Sequence, residues 1–396
     1  MSKNSVSLLL KNKENDAGEK VEVFHSFCPY RVCPLGAHVD HQLGLVTGFA
    51  IDQGTALDYV PAVDGSIEIY SENFEGQAVG NIHEKYYERQ YSWADFVYGC
   101  AFVLRKYYDL EYGIKGIISG SLLGGGLSSS ASVILTYLKA FTKVNSIILT
   151  NPELINLAIQ VERDFIGVNV GKLDQSTEVY SRKNHLFFLD TQSDSQKLYP
   201  VQKNMPDFEI AIVFSGMERK LAGSKYNMRV DECKASAYAL KGYAGIEYGK
   251  LSDSYLRDIP FSIWQQYKNK LPKNWLKRTE HFYAENERVK KGIIAWRKGD
   301  LVTFGKLVFE SGDSSINLYE TGSEELKTLH EIMKNCDGIY GGRFSGAGFN
   351  GCAMALIDPL KKDFIKKYLT DEYLKVFPDL ADQFKIVFCQ TQNGIE

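Results

Sequence analysis

Three glycines followed at once by three serines, Gly124–Gly126 and Ser128–Ser130 with Leu127 between them, constrain this chain more than any other feature. They lie in GSLLGGGLSSSASV (Gly120–Val133), which runs into a helical pattern over Ala131–Val144. Consecutive glycines let a backbone turn sharply and come close to a ligand. A turn that feeds a helix N-terminus presents unpaired N–H groups and the positive end of the helix dipole, an arrangement suited to phosphate. The loop is not a Walker loop, because no Gly-Lys-Ser/Thr follows at the required spacing, and it lacks the dinucleotide fingerprint. Alone, the same residues also suit a flexible surface loop with a serine cap.

Three further clusters add chemistry. Pro29–Asp52 crowds Arg31, His38, Asp40, His41 and Gln42 among Pro34, Gly36 and Gly44. Polar groups this dense between hydrophobic runs are costly to bury without partners, and a polyhydroxylated sugar would supply them. Val161–Ser176 carries Glu162, Gly171, Lys172 and Asp174, and Gly341–Cys352 (GGRFSGAGFNGC) is a second glycine-rich turn. Each also has a bland reading, as a charged surface loop, a solvated helix face and a tight hairpin.

With 396 residues the chain is too long for one ordinary core, so two domains are expected, divided near residue 180 into 1–180 and 181–396. Strand-like runs (Ser66–Tyr70, Phe208–Phe214, Cys352–Ile357, Phe384–Cys389) mix with helical ones (Ala131–Val144, Pro152–Phe165, Glu280–Arg297, Glu324–Asn335). The mixture predicts an α+β fold with mixed or antiparallel sheets. A net charge of −3 with basic residues dispersed gives no footprint for nucleic acid or an anionic membrane. Seven scattered cysteines without a CxxC pair argue against a disulfide framework or zinc site. No run of about 18 apolar residues suggests a membrane span. The expected setting is the cytoplasm.

Taken in order, the four clusters resemble the kinase superfamily named for galactokinase, homoserine kinase, mevalonate kinase and phosphomevalonate kinase (GHMP). RVCPLGAHVDHQLG is similar to the galactokinase signature RVNLIGEHTDY, LGGGLSSSAS to that subfamily's ATP loop, VGKLDQ to its CGIMDQ, and GGRFSGAGFNGC to its third motif. The resemblance runs from about Phe24 to the C-terminus. It implies two α+β domains with the active site in the cleft between them and a C-terminal strand, near 384–396, that returns to the first domain. It also implies a monomeric sugar kinase using ATP and Mg²⁺. Asp174 would take the proton from the sugar's anomeric hydroxyl, with Arg31 beside it. Ser130 and Glu162 would hold magnesium, and Gly124, Gly125, Gly126, Leu127, Ser128, Ser129 and Ser130 the ATP phosphates. His38, Asp40, Gly171 and Tyr226 would meet the sugar.

One departure bears on the substrate. Galactokinases carry glutamate where this chain has Ala37, and in that family the glutamate reaches the sugar's 6-hydroxyl. Alanine there removes a charge that would repel a carboxylate, and the Ala-His-x-Asp-His form looks closer to plant-type galacturonokinase. The expected substrate is therefore galacturonic acid, with galactose as the alternative and Lys172 as the expected cation for the carboxylate. A sugar sensor without catalysis is the reading from another class; intact Ser128–Ser130, Arg31 and Asp174 favour an enzyme.

Overall fold

The computed structural model describes residue 7 and residues 20–85, 87–122, 125–168, 170–217, 223–247, 249–348 and 351–396. Gly124 of the phosphate loop, Asn350 of the second glycine turn and residues 221–222 lie outside the described residues.

The first sheet has seven strands: β1 (Phe24–Val32), β2 (Leu45–Ala62), β3 (Ser66–Ser71), β4 (Gln77–Asn81), β5 (Gly113–Gly120), β6 (His185–Asp190) and β7 (Ser195–Pro200). They run in the order β4-β3-β5-β2-β6-β7, with β1 paired to β2; only β3 and β5 are parallel. β2 is 18 residues long and organises the whole layer. Its Thr55–Ala62 half pairs with β5 and its Leu45–Gly48 end with β6. The second sheet is wholly antiparallel, in the order β11-β8-β10-β9, from β8 (Glu209–Phe214), β9 (Ile339–Phe344), β10 (Cys352–Ile357) and β11 (Lys385–Cys389).

The α-helices among the described residues are α1 (Asp95–Leu104), α2 (Ser129–Val144), α3 (Asn151–Gln160), α4 (Leu173–Tyr180), α5 (Gly223–Ala244), α6 (Phe261–Tyr267), α7 (Lys273–Lys298), α8 (Leu301–Asn317), α9 (Glu324–Lys334) and α10 (Lys362–Val376). α3 starts on a capping box, Thr150 with Glu153, and passes into a π-helical turn, Val161–Ile166, that carries Glu162. The four strand runs and four helical runs read from the sequence are all present, displaced by a few residues at most apart from α7, which begins seven residues earlier than the pattern suggested.

Two of the apolar clusters place the site. Ile134, Leu138 and Phe141 of α2 pack with α1 and α3 over Leu57 and Ile118 of the first sheet. On its other side Tyr30 and Phe49 share a core with Trp296 of α7, Phe304 of α8 and Ile210, Ile212 and Met354 of the second sheet. That shared core fixes the two sheets against each other, so groups from both halves can meet at constant distances.

Strands β6 and β7, residues 185–200, belong to the first sheet, so that layer extends past residue 180. The return of the C-terminus is partial. β11 pairs within the second sheet, and the residues after it hydrogen-bond to the first half: Ile51 bridges Thr391, Gln392 N–H donates to Ala50 O of β2 at 2.8 Å and Ile395 N–H to Glu178 O, in the helix Leu173–Tyr180, at 2.7 Å. Among the described residues no helix is long and apolar enough to cross a membrane.

Candidate active site

Arg31 is next to last in β1, Asp174 lies in the first turn of α4 and the glycine-serine turn leads into α2; the fold brings these three together although 143 positions separate the two charges. Arg31 Nε donates to Asp174 Oδ1 at 2.8 Å, and its Nη1 donates to Gly126 O at 3.0 Å. Asp174 Oδ2 accepts from Ser128 Oγ at 2.6 Å. Each carboxylate oxygen keeps a lone pair beyond these bonds, and the Asp174 side chain remains 26% exposed against 6% for Arg31. The pair is thus anchored on its protein side and open on the other. Burial alone would depress the guanidinium, yet Asp174 beside it more than offsets this and Arg31 is held above its ordinary range.

Ser128 takes a left-handed conformation, φ 62°, and because its hydroxyl serves Asp174 it does not cap α2. Among the described residues no side chain caps the first turn of this 16-residue helix. The turn is braced by the second glycine motif. Ser345 Oγ donates to Gly126 O at 2.6 Å, and a Cβ at Gly351 would come within 2.2 Å of Gly125 O, so only glycine permits this approach.

Ser130 Oγ donates to Glu162 Oε1 at 2.9 Å, and Gln175, which the sequence did not single out, donates to Oε2. Glu162 is buried, and burial with the nearby Asp174 charge pushes its carboxyl up to about 7. Two hard oxygens beside the phosphate loop form a donor set that fits Mg²⁺. Another group with metal-ligand types, Asp313, His330 and Glu331, lies on α8 and α9, but Lys334 Nζ sits 3.0 Å from Asp313 Oδ1 and already neutralises it.

The residues expected from the sequence to meet the sugar lie around Asp40, His38 and Ala37. Leu173 N–H donates to Asp40 Oδ2 at 3.4 Å, and burial followed by Asp174 pushes the Asp40 carboxyl up to about 6. A Cβ at Gly171 would lie 2.0 Å from that oxygen, so glycine there is what admits Asp40. His38 is buried, stacks on Tyr319 with centroids 4.6 Å apart, lies 6.4 Å from the Tyr226 ring and has Nε2 without a partner. Burial and then the Arg343 charge hold it well below its usual range, so it is a neutral imidazole. Ala37 is pinned by α7: its N–H donates to Glu285 Oε1 at 3.2 Å and its carbonyl meets His281 Nε2 at 2.9 Å. Lys172 stands at the edge, with Nζ 2.6 and 2.8 Å from the Asp194 carboxylate, so its charge is already engaged there.

Profiles for the GHMP kinases N terminal domain and the GHMP kinases C terminal domain match residues 95–182 and 291–375. The chain is 35% identical to a galacturonokinase of Arabidopsis thaliana over 95% of this chain and 94% of that one. It is 33% identical to a galactokinase of Staphylococcus carnosus (strain TM300), covering 89% of each. Among solved structures, Lactococcus lactis galactokinase complexed with galactose superimposes with a TM-score of 0.88 at 28% identity, covering 99% of both chains. The mevalonate kinase of Methanococcus jannaschii shares the fold at a TM-score of 0.64 and 17% identity.

Proposed function

Since the chain belongs to the GHMP kinases and is an ATP-dependent sugar kinase, we propose that it phosphorylates the anomeric hydroxyl of galacturonic acid. The observation that carries the kinase reading is the Arg31–Asp174 pair seated on the glycine-serine turn; alanine at position 37, where galactokinases carry glutamate, supports the uronate. Asp174 accepts the proton of the C1 hydroxyl as that oxygen attacks the γ-phosphorus. The bond from the γ-phosphorus to the β–γ bridging oxygen breaks, and ADP carries away the electron pair. Arg31 faces the charge that develops on the transferring group, and the N–H groups of the turn and of the first turn of α2 cradle the phosphates. Ser130 and Glu162 would hold Mg²⁺, which neutralises phosphate charge. His38, Asp40 and Tyr226 bind the sugar's hydroxyls, and Gly171 gives Asp40 its place.

A panel of galactose, galacturonate and glucuronate with ATP-Mg²⁺, read by ADP release, tests the assignment. Galacturonate is expected to turn over fastest; a higher kcat/KM for galactose overturns it. Release with no hexose or uronate would favour the non-catalytic sensor.

Glu162 should betray its role by opposing effects. Its folded-state proton affinity is raised, so its contribution to stability is full below the unfolded value of about 4.3 and is lost as pH rises through about 7. Glu162→Gln is therefore expected to stabilise the nucleotide-free protein at pH 8 by on the order of 1–3 kcal/mol but not at pH 4, while turnover falls roughly 10²-fold. Thermal melts at the two pH values and the coupled assay check both; an equal effect on the melts at both would contradict the burial argument.

A further inference from the structure

Arg343 lies on β9, in the second glycine motif, and is 1% exposed. Its Nη2 donates to Ser315 Oγ at 3.3 Å, and its Nε is buried with no partner. Among the described residues no carboxylate lies within ion-pair distance of it. A guanidinium removed from water is costly unless an anion meets it.

Its surroundings lead directly to Ala37. Glu285 Oε1 accepts from the N–H groups of Gly36 and Ala37 at 2.8 and 3.2 Å and from Ser311 Oγ at 2.6 Å, while Oε2 pairs with Arg288 Nε at 2.7 Å. Ser311 and Ser315 are one turn apart on α8, so adjacent turns of one helix secure Ala37 and Arg343. Arg288 also has a buried nitrogen, Nη2, without a partner. Arg288 thus takes the single carboxylate of Glu285, which also holds the Ala37 backbone, and among the described residues Arg343 is left without an anion. The Arg343 guanidinium is 5.4 Å from the Phe344 ring centroid, and that ring is 6.2 Å from His38.

We propose that Arg343 is the specificity residue that receives the carboxylate of the uronic acid in the hollow beside Ala37. This rests on the uronate reading above. Lys172 is engaged by Asp194 at the edge, whereas Arg343 is buried, unpaired and planar, with a donor fork that matches a carboxylate. In a galactose complex the same charge would stay unmatched, so discrimination arises from both an attraction to the uronate and a standing cost without it.

Kinetics of Arg343→Gln and Arg343→Lys with both sugars test this. The glutamine variant is expected to raise KM for galacturonate about 10²-fold and to change galactose kinetics only a few-fold, with lysine in between. Equal losses for both sugars would assign Arg343 a purely structural task and overturn the inference. If the wild-type protein uses galactose and not galacturonate, it is the uronate assignment that fails, an outcome the parent protein alone reveals. Should neither variant fold, a crystal structure of the wild-type protein with galacturonate decides. A carboxylate oxygen within about 3.2 Å of the guanidinium supports the inference, and one outside hydrogen-bond reach overturns it.

Discussion

Asp174→Asn is expected to lower kcat by on the order of 10²–10⁴ with little change in KM for either substrate. Asparagine keeps the shape and can still accept from Arg31 through its carbonyl oxygen, while a rotated Ser128 hydroxyl can accept from its amide. The fold and the binding hollow should survive; what disappears is an acceptor for the C1 proton. Arg31→Met should cost about 10²–10³, because it removes the cation facing the transferring group and leaves Asp174 with Ser128 alone. Combining the two should cost less than the product of the single losses, since the groups act as one unit. The coupled assay, run beside nucleotide binding to show that the site is still formed, reads all three. Retention of more than about a tenth of wild-type kcat in Asp174→Asn would remove the general base from the mechanism.

Ala37→Glu should have the second largest effect, and it should fall on one sugar. A glutamate carboxylate about 4 Å from the uronate carboxylate, at an effective dielectric of about 20, repels it by about 4 kcal/mol, a penalty of roughly 10³ in kcat/KM. Galactose has a hydroxyl in place of that carboxylate and should be spared or even favoured. Ala37→Gln separates charge from bulk, because it fills the same space without the charge. The charge argument predicts a much smaller galacturonate loss for glutamine than for glutamate. If the two variants behave alike, crowding and not repulsion explains them. The backbone at this position is held by Glu285 and His281, so neither variant should shift the loop.

The parts legible in the sequence share a local cause. GGGLSSS announced a tight turn before a helix because glycine freedom and a helix start are properties of adjacent residues; α2 begins at Ser129, two residues before the Ala131 that the pattern suggested. The strand at Cys352–Ile357 and the helix at Glu324–Lys334 were readable from hydrophobic period and a serine cap. β2 escaped notice: its 18 residues include Gly48, Asp52, Gln53, Gly54 and Pro61, which break the strand pattern. Three neighbouring strands supply the hydrogen bonds that override that local preference. Glu285 and His281 gave no signal either, and Gln175 and Arg343, although inside quoted motifs, were assigned no role. Their significance comes from partners far along the chain, such as Gly36 for Glu285, 249 positions away.

By itself the sequence determined the chemistry on offer: a phosphate-binding turn, an arginine and an aspartate in motifs of known order, and an alanine where a charge was expected. Those follow from residue type and short spacing, which the linear chain carries in full. Only the tertiary structure decided which charges are satisfied. It spent Lys172 on Asp194, anchored Ala37 to α7 and left Arg343 buried without an anion. Electrostatic compensation depends on distances across the cleft and on exclusion of water, and neither exists until both sheets close on their shared core.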